Sequence, residues 1–160
     1  MEVQKTALYE THKNLGARFA PFAGYEMPIQ YSDGVVKEHI STRTYAGFFD
    51  VSHMGQLYIE GGSSVEDALE KIIPADLKNL DMNQSKYSFL LNLEGGIIDD
   101  LIITKQKHGF YIVLNAACKD NDIKHISKNL TENHKFYLCS KNSLIACLLY
   151  TSPSPRDVEE

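Results

Sequence analysis

The sequence predicts an α+β domain in which helices flank an antiparallel sheet. Apolar, β-favouring runs alternate with helical segments in the order strand, helix, hairpin, strand, helix, strand. The links between these segments are short, and short links join antiparallel strands rather than parallel ones. The 160 residues are enough for one domain with a buried core.

The first third of the chain predicts the least regular structure. Its first residues predict a short helical or extended lead-in, and residues 19–31 predict irregular strand and turn because prolines and a glycine interrupt them. Residues 35–46 have helical spacing that places Val36 and Ile40 on one side. Gly47 predicts the end of that helix.

The remaining elements follow from the spacing of apolar residues. Ser64 and Asp67 form a capping-box pattern that opens a helix, and Pro74 closes it. The other predicted elements are strands at 56–60, 110–115, 135–139 and 143–146 and an amphipathic helix at 116–130.

Residues 87–104 form the most unusual stretch, two β-favouring runs joined by the linker LEGG in a predicted hairpin. Asp99 and Asp100 stand side by side in its second strand, so strand alternation places one carboxylate on each face. A buried carboxylate is costly unless a partner pairs with it or donates hydrogen bonds to it. A ligand is one candidate for that partner. The other interpretation is an aspartate that caps the turn beside the Gly-Gly bend.

Composition and motifs argue against several classes of function. The net charge of −5 gives no reason to expect nucleic acid or an anionic membrane as a partner. No apolar run approaches the roughly 18 residues of a transmembrane helix. The histidines lack metal-binding spacing, and no CxxC pair, phosphate-binding glycine loop or nucleophile elbow occurs. The N-terminus has the form of neither a secretory signal nor a transit peptide, which predicts a cytoplasmic protein.

The last residues of the chain differ from the rest. They begin CLLYTSPSPRD, which is the translation of the end of a common transposase-type sequencing adapter. The sequence therefore predicts a native domain at residues 1–146 and adapter read-through at residues 147–160. Because prolines block regular pairing, we expect residues 147–160 to lack a packed structure of their own, apart from a chance extension of the preceding strand at Leu148 and Leu149.

Several segments occur in the order seen in one protein family. They read TALYETH at residues 6–12, PFAGYEMP at 21–28, AGFFDVSHMG at 46–55 and GGIIDDL at 95–101. Together they resemble the N-terminal part of the glycine cleavage system T-protein, an aminomethyltransferase. The resemblance implies a truncated folate-binding domain, because T-proteins are well over twice this length.

The chemistry of this family implies two partners. An aminomethyl group hangs from the lipoyl arm of the H-protein, and tetrahydrofolate, the co-substrate, takes its methylene while ammonia leaves. Such a reaction needs the folate nitrogens held against that carbon, and an ionised carboxylate to offset the positive charge that develops on them. The family's later segments are missing here, so the fragment alone is expected to be inactive.

The resemblance also assigns roles to individual residues. It places Asp99 at the catalytic, folate-contacting position, Met54 and Tyr87 in the pterin pocket, and Asn115 close to the folate. Met54 and Tyr87 are therefore expected to face the same cavity as Asp99, whereas Asp100 is expected to be structural.

Two other classes of protein use the same module. One is a folate-binding protein of iron–sulfur cluster repair, and the other is the folate module of dimethylglycine- or sarcosine-oxidising flavoenzymes. The flavoenzymes need a large flavin domain upstream, whereas the family pattern here starts within a few residues of Met1. The complete FDVSHM and IIDD blocks favour the transferase.

Overall fold

A computed structural model describes residues 3–131, 133–139 and 141–149 and divides the chain into two compact units. Of the described residues, those up to His53 and those from Ser143 to Leu149 form the first unit, and those between Met54 and Asn142 form the second. Helices accompany antiparallel sheets, which confirms the predicted fold class. Within the described ranges, no helix is long and apolar enough to cross a membrane.

The first unit is built from two helices and two strand pairs. Its elements are α1 (Tyr9–Asn14), β1 (Arg18–Phe22), β2 (Tyr25–Gln30), α2 (Val35–Thr44), β3 (Ala46–Asp50) and β9 (Ile145–Leu149), the last strand of the described residues. β1 pairs with β2, and β3 pairs with β9, both in antiparallel register.

The aromatic segment predicted to be irregular forms the β1–β2 hairpin. Its turn residues Ala23 and Gly24 both have positive φ, 48° and 82°, which is the requirement of a tight two-residue hairpin turn. Pro21 and Pro28 are tolerated because each strand of a two-stranded sheet is an edge strand.

The helix predicted at residues 35–46 forms as α2. Val36 and Ile40, predicted to share one side, are 69% and 56% exposed, and none of the residues of α2 is buried. The prediction that Gly47 ends the helix is wrong, since this residue lies inside β3. β3 was not predicted from the local pattern, because its partner β9 comes from the far end of the chain.

β9 crosses the boundary predicted at Ala146. Its residues Cys147, Leu148 and Leu149 pair with β3, and every residue of β9 is exposed. Backbone hydrogen bonds place little demand on side-chain identity. The strand is therefore compatible both with native sequence and with adapter read-through at residues 147–149. The rest of the predicted tail, residues 150–160, lies outside the described residues.

A hydrogen-bond chain ties the first unit together. Nδ1 of His12 lies 2.7 Å from the hydroxyl of Tyr31, and its Nε2 lies 3.0 Å from Oδ2 of Asp50. The backbone N–H of Ser52 donates to Oδ1 of Asp50 at 3.0 Å. Burial raises the pKa of Asp50, but hydrogen bonds from Ser52, His12 and Thr6 together outweigh burial and hold the pKa below its usual range.

Replacing Asp50 with asparagine is expected to destabilise the chain by about 1.5–3 kcal/mol at about pH 7, the range for hydrogen bonds to a charged group. Because folding lowers this pKa, the contribution is present above the unfolded pKa of about 4 and is lost as the pH falls through the folded value. Urea unfolding of the parent and of Asp50→Asn at about pH 7 and about pH 3 measures the difference between their free energies of unfolding. This difference should be smaller at the lower pH.

The matched control is Asp33→Asn, at a carboxylate whose side chain is 71% exposed. It should change the free energy of unfolding by less than about 0.5 kcal/mol. Equal losses in the two variants at neutral pH would contradict a structural role for the Asp50 carboxylate.

The second unit is an antiparallel sheet with two helices. Its elements are β4 (Gly55–Glu60), α3 (Ser63–Leu69), β5 (Ser85–Leu91), β6 (Ile97–Gln106), β7 (Gly109–Leu114), α4 (Lys119–Lys128) and β8 (Lys135–Leu138). The strand order is β5-β6-β7-β4-β8. β5 and β6 form the predicted hairpin, with a bulge between Leu90 and Leu91.

The sheet of the second unit has two unlike faces. The core face carries buried aliphatic side chains that pack with Val65, Leu69 and Ile126 of the two helices: Leu57, Ile59, Leu101, Ile103 and Ile112. The open face carries the alternate residues of the strands. They are the exposed apolar side chains of Tyr87, Phe89, Ile98 and Ile102 and the carboxylate of Asp100.

The start of β7 brings two backbones unusually close. Gly109 pairs with Glu60 of β4, and a Cβ at this glycine would lie 1.8 Å from the carbonyl oxygen of Ile59. Only a residue without a side chain fits such a contact. Glycine therefore allows the β4–β7 register, which at its other end places Gly55 opposite Leu114.

Candidate functional site

The two aspartates of β6 lie on opposite faces of the sheet, as strand alternation predicts. Asp99 pairs with Leu90, which is fully buried, and therefore lies on the core face. Asp100 pairs with Phe89 and lies on the open face. The two carboxylates consequently have different environments and can have different roles.

Asp100 receives hydrogen bonds from two of the residues predicted for the site. The hydroxyl of Tyr87 donates to Oδ2 at 2.8 Å, and Nδ2 of Asn115 donates to Oδ1 at 2.5 Å. The hydrogen bond from Tyr87 first, and then that from Asn115, hold the pKa of Asp100 below its usual range because they favour the charged form. The open face therefore presents an ionised carboxylate at neutral pH.

Asp99 also accepts a hydrogen bond from the side-chain amide of Asn115. Its Oδ1 accepts from the backbone N–H of Asp100 at 2.9 Å and from Nδ2 of Asn115 at 2.9 Å. Its Oδ2 is buried and meets no donor among the described residues. Asn115 thus bridges the two carboxylates, and its position depends on both.

The expectation that Tyr87 and Asp99 face one cavity is wrong. Tyr87 pairs with Ile102, and residues directly opposite each other in a sheet share a face. Ile102 alternates with Asp100 on β6, so Tyr87 lies on the open face and Asp99 on the core face. The hydrogen bond from Tyr87 to Asp100 agrees with this register.

Met54 lies at the same end of the sheet as the aspartates. It directly precedes Gly55, the first residue of β4, which pairs with Leu114 at the end of β7. Asn115 follows Leu114, and Leu101, next to Asp100, also pairs with Leu114. The register therefore gathers Met54, Asn115 and the two aspartates at one end of three neighbouring strands.

Asp122 was not singled out from the sequence, although it belongs to the same cluster. It lies in the first turn of α4 and is completely buried. Burial, followed by a hydrogen bond to Asp99, raises the pKa of Asp122 to about 7. Acids are common in the first turn of a helix because they interact favourably with the helix dipole. The position of Asp122 in the sequence therefore does not indicate a functional role. The charge of Asp99 also raises the pKa of the nearby Cys118 thiol.

The first unit contains a separate cavity of about 700 Å³. The residues that line it include His12, Tyr31, Phe48, Phe49 and Asp50. None of the residues predicted for the site lines this cavity. Its polar wall is the hydrogen-bond chain already described, whose contacts account for the lowered pKa of Asp50.

The open face combines an apolar surface with a fixed negative charge. Tyr87 and Phe89 lie beside Asp100, and their ring centroids are 5.6 Å apart in an edge-to-face arrangement. Exposed Ile98 and Ile102 extend the apolar surface along β6. Such a surface suits a flat heteroaromatic ring, and the carboxylate can accept hydrogen bonds from the N–H groups of that ring or stabilise positive charge on its nitrogens.

Curated relatives of the chain carry one activity in their names. The chain is 51% identical over 131 residues to a mitochondrial aminomethyltransferase of Dictyostelium discoideum, covering 82% of this chain and 32% of the relative. It is 45% identical over 139 residues to an aminomethyltransferase of Synechococcus sp. (strain WH7803), covering 82% of this chain and 37% of the relative. The chain thus spans about a third of the length of these relatives.

A solved structure and a family model agree with these relatives. The glycine cleavage system aminomethyltransferase T from Bartonella henselae matches with a TM-score of 0.84 and 38% identity, over 91% of this chain and 40% of that chain. The family model described as the GCVT N-terminal domain matches residues 8–158. This match confirms the resemblance drawn from the sequence blocks, and the chain belongs to the family of GCVT N-terminal domains.

Proposed function

We propose that the protein containing this chain is the aminomethyltransferase of the glycine cleavage system. It would pass the methylene of an aminomethyl group on the lipoyl arm of the H-protein to tetrahydrofolate, with release of ammonia. The family match and the names of the relatives support this activity over the iron–sulfur repair and flavoenzyme alternatives. The name of the Dictyostelium relative includes a mitochondrial location, so the cytoplasmic location stays a prediction.

One observation carries the assignment of the site to this chemistry. The open face holds an ionised carboxylate, Asp100, fixed by Tyr87 and Asn115 beside an apolar surface. Tetrahydrofolate has a flat pterin ring and nucleophilic nitrogens, and the surface and the carboxylate complement these two properties respectively.

The same observation favours Asp100 over Asp99 as the carboxylate that meets the folate. The resemblance assigned the catalytic position to Asp99, and that assignment stays a prediction. Asp99 lies on the core face, where Asn115 and the Asp100 N–H already occupy its Oδ1. We therefore give Asp100 the contact with the folate, and Asp99 the role of holding Asn115. Tyr87 and Met54 remain the proposed pterin contacts.

In this proposal the chain acts by positioning and charge. The two folate nitrogens bond to the aminomethyl carbon as its bonds to the amine nitrogen and to the lipoyl sulfur break. The two folate N–H protons pass, in net terms, to the amine nitrogen and to the sulfur, which gives methylenetetrahydrofolate, ammonia and the reduced arm. Positive charge develops on the attacking nitrogen, and an ionised carboxylate at hydrogen-bond distance stabilises it.

The proposal is tested with a chimera in which this chain replaces the matching segment of the Dictyostelium relative. The chimera is expected to form methylenetetrahydrofolate from aminomethylated H-protein and tetrahydrofolate, whereas this chain alone is expected to show no turnover. A folded chimera that makes no methylenetetrahydrofolate while the parent relative does would contradict the proposed function.

A further inference from the structure

The two aspartates on the core side of the site, Asp99 and Asp122, carry three buried oxygens for which the described residues offer no donor. They are Oδ2 of Asp99 and both carboxyl oxygens of Asp122. Asp122 is completely buried at the start of α4, whose Ile126 packs in the core beneath the sheet. A buried acceptor without a donor is costly, and two carboxylates in this position would also repel each other.

A single proton between the two carboxyl groups removes both costs. If Asp122 carries it, the Asp122 hydroxyl donates to Oδ2 of Asp99, and the pair holds one negative charge instead of two. Burial first, and then the interaction with Asp99, raise the pKa of Asp122 to about 7, which agrees with a proton on this carboxyl group. Asp99 then keeps its other oxygen, Oδ1, for Nδ2 of Asn115.

We propose that Asp122 is a positioning residue of the folate site: its protonated carboxyl group holds Asp99, Asp99 holds the Asn115 amide, and that amide orients Asp100 on the open face. The inference rests on the proposed function for the identity of the ligand. The contacts of Asn115 with Asp99 and Asp100 and the unpartnered buried oxygens of Asp99 and Asp122 stand on this structure alone.

Asp100 shares the Asn115 amide with Asp99, and two further titratable groups of the described residues act on the pair or belong to it. Asp99 faces Asp122 from β6, and the Cys118 thiol approaches both from the residue before α4. Asn115, after β7, contributes only its neutral amide. Both shifted neighbours, Asp122 and Cys118, are pushed toward their neutral forms.

The test compares Asp122→Asn and Asp122→Ala in the chimera between about pH 6 and pH 9, on either side of the Asp122 transition. An asparagine amide donates to Asp99 at every pH, so Asp122→Asn should keep kcat/KM for tetrahydrofolate within about threefold of the parent at the acidic end and lack the parent's decline above neutral pH. Asp122→Ala leaves Oδ2 of Asp99 without a donor and should lose roughly ten- to a hundredfold in kcat/KM at the acidic end, the scale of a misplaced site, and the difference from the parent should narrow above neutral pH as the parent loses the same proton.

A second measurement does not depend on activity. The side-chain amide signal of Asn115 in an NMR spectrum of the chimera should shift with pH in step with the titration of Asp122, and this shift should be absent in Asp122→Asn. The melting temperature gives a third measurement. Because folding raises the Asp122 pKa, its contribution is full below the unfolded pKa of about 4 and is lost as the pH rises through the folded value, a loss that Asp122→Asn should lack.

The outcomes separate this inference from the proposed function. An inactive but folded parent chimera would reject the function, while the Asn115 signal would still decide the role of Asp122. Identical pH profiles of kcat/KM and of the Asn115 signal in the parent and in Asp122→Asn would overturn the positioning role. If Asp122→Ala fails to fold, the asparagine variant decides the question.

Discussion

Replacing Asp100 with asparagine is expected to lower the turnover of the chimera by roughly ten- to ten-thousand-fold, the range for loss of an acid–base or charge-stabilising group. Asparagine keeps the shape of the side chain but removes the negative charge that Tyr87 and Asn115 stabilise. The loss should appear in kcat, measured at saturating tetrahydrofolate, because charge on the folate nitrogen develops only as the reaction proceeds.

The matched control for this experiment is Asp99→Asn, the same chemical change at the neighbouring residue on the other face. We expect it to act through Asn115, with a smaller loss of turnover and a clear loss of stability, because Asp99 is a partner in the core-side hydrogen bonds. The reverse result, in which Asp99→Asn abolishes turnover and Asp100→Asn changes mainly stability, would restore the assignment made from the sequence resemblance.

Replacing Gly109 with alanine is expected to have the largest effect on stability. Its Cβ would lie 1.8 Å from the carbonyl oxygen of Ile59, and the obstructing atom belongs to the backbone of β4, which cannot rotate away as a side chain can. Overpacking usually costs about 1–3 kcal/mol, and we expect at least the upper end of this range. β7 must move away from β4, and the register that gathers the site residues should loosen with it.

The control for this change is His108→Ala in the same turn. His108 is exposed, and the variant keeps the backbone carbonyl that accepts from the N–H of Gly61. It should change the free energy of unfolding by less than about 0.5 kcal/mol. Urea unfolding followed by circular dichroism compares the two variants. A Gly109→Ala protein as stable as the control would show that the strands have room to separate.

The parts of the fold that could be predicted depend on neighbours in sequence. The β5–β6 hairpin and the helix α4 follow from local spacing and turn chemistry, and both are present. β3 could not be predicted, because its partner β9 lies at the opposite end of the chain. The exposure of α2 could not be predicted either, since helical spacing shows which residues share a side but not whether other residues cover that side.

The site could be predicted only in part for a related reason. Alternation separates Asp99 from Asp100, but the face of Tyr87 depends on the register between β5 and β6, and a shift of one residue exchanges the faces of a strand. The bulge after Leu90 changes that register along the hairpin. Asp122 was missed because its role depends on a contact between a helix and a strand, which no spacing within the helix reveals.

The position of Asp100 has a consequence for the chain before any ligand is bound. The open face carries exposed apolar side chains, which favour association with other copies of the same β-rich segment: Tyr87, Phe89, Ile98 and Ile102. A fixed negative charge in the middle of such a segment acts as a gatekeeper against self-association, because stacking two copies would bring two ionised carboxylates together. The same side chain that we propose as the folate contact is therefore expected to limit self-association of the unliganded chain.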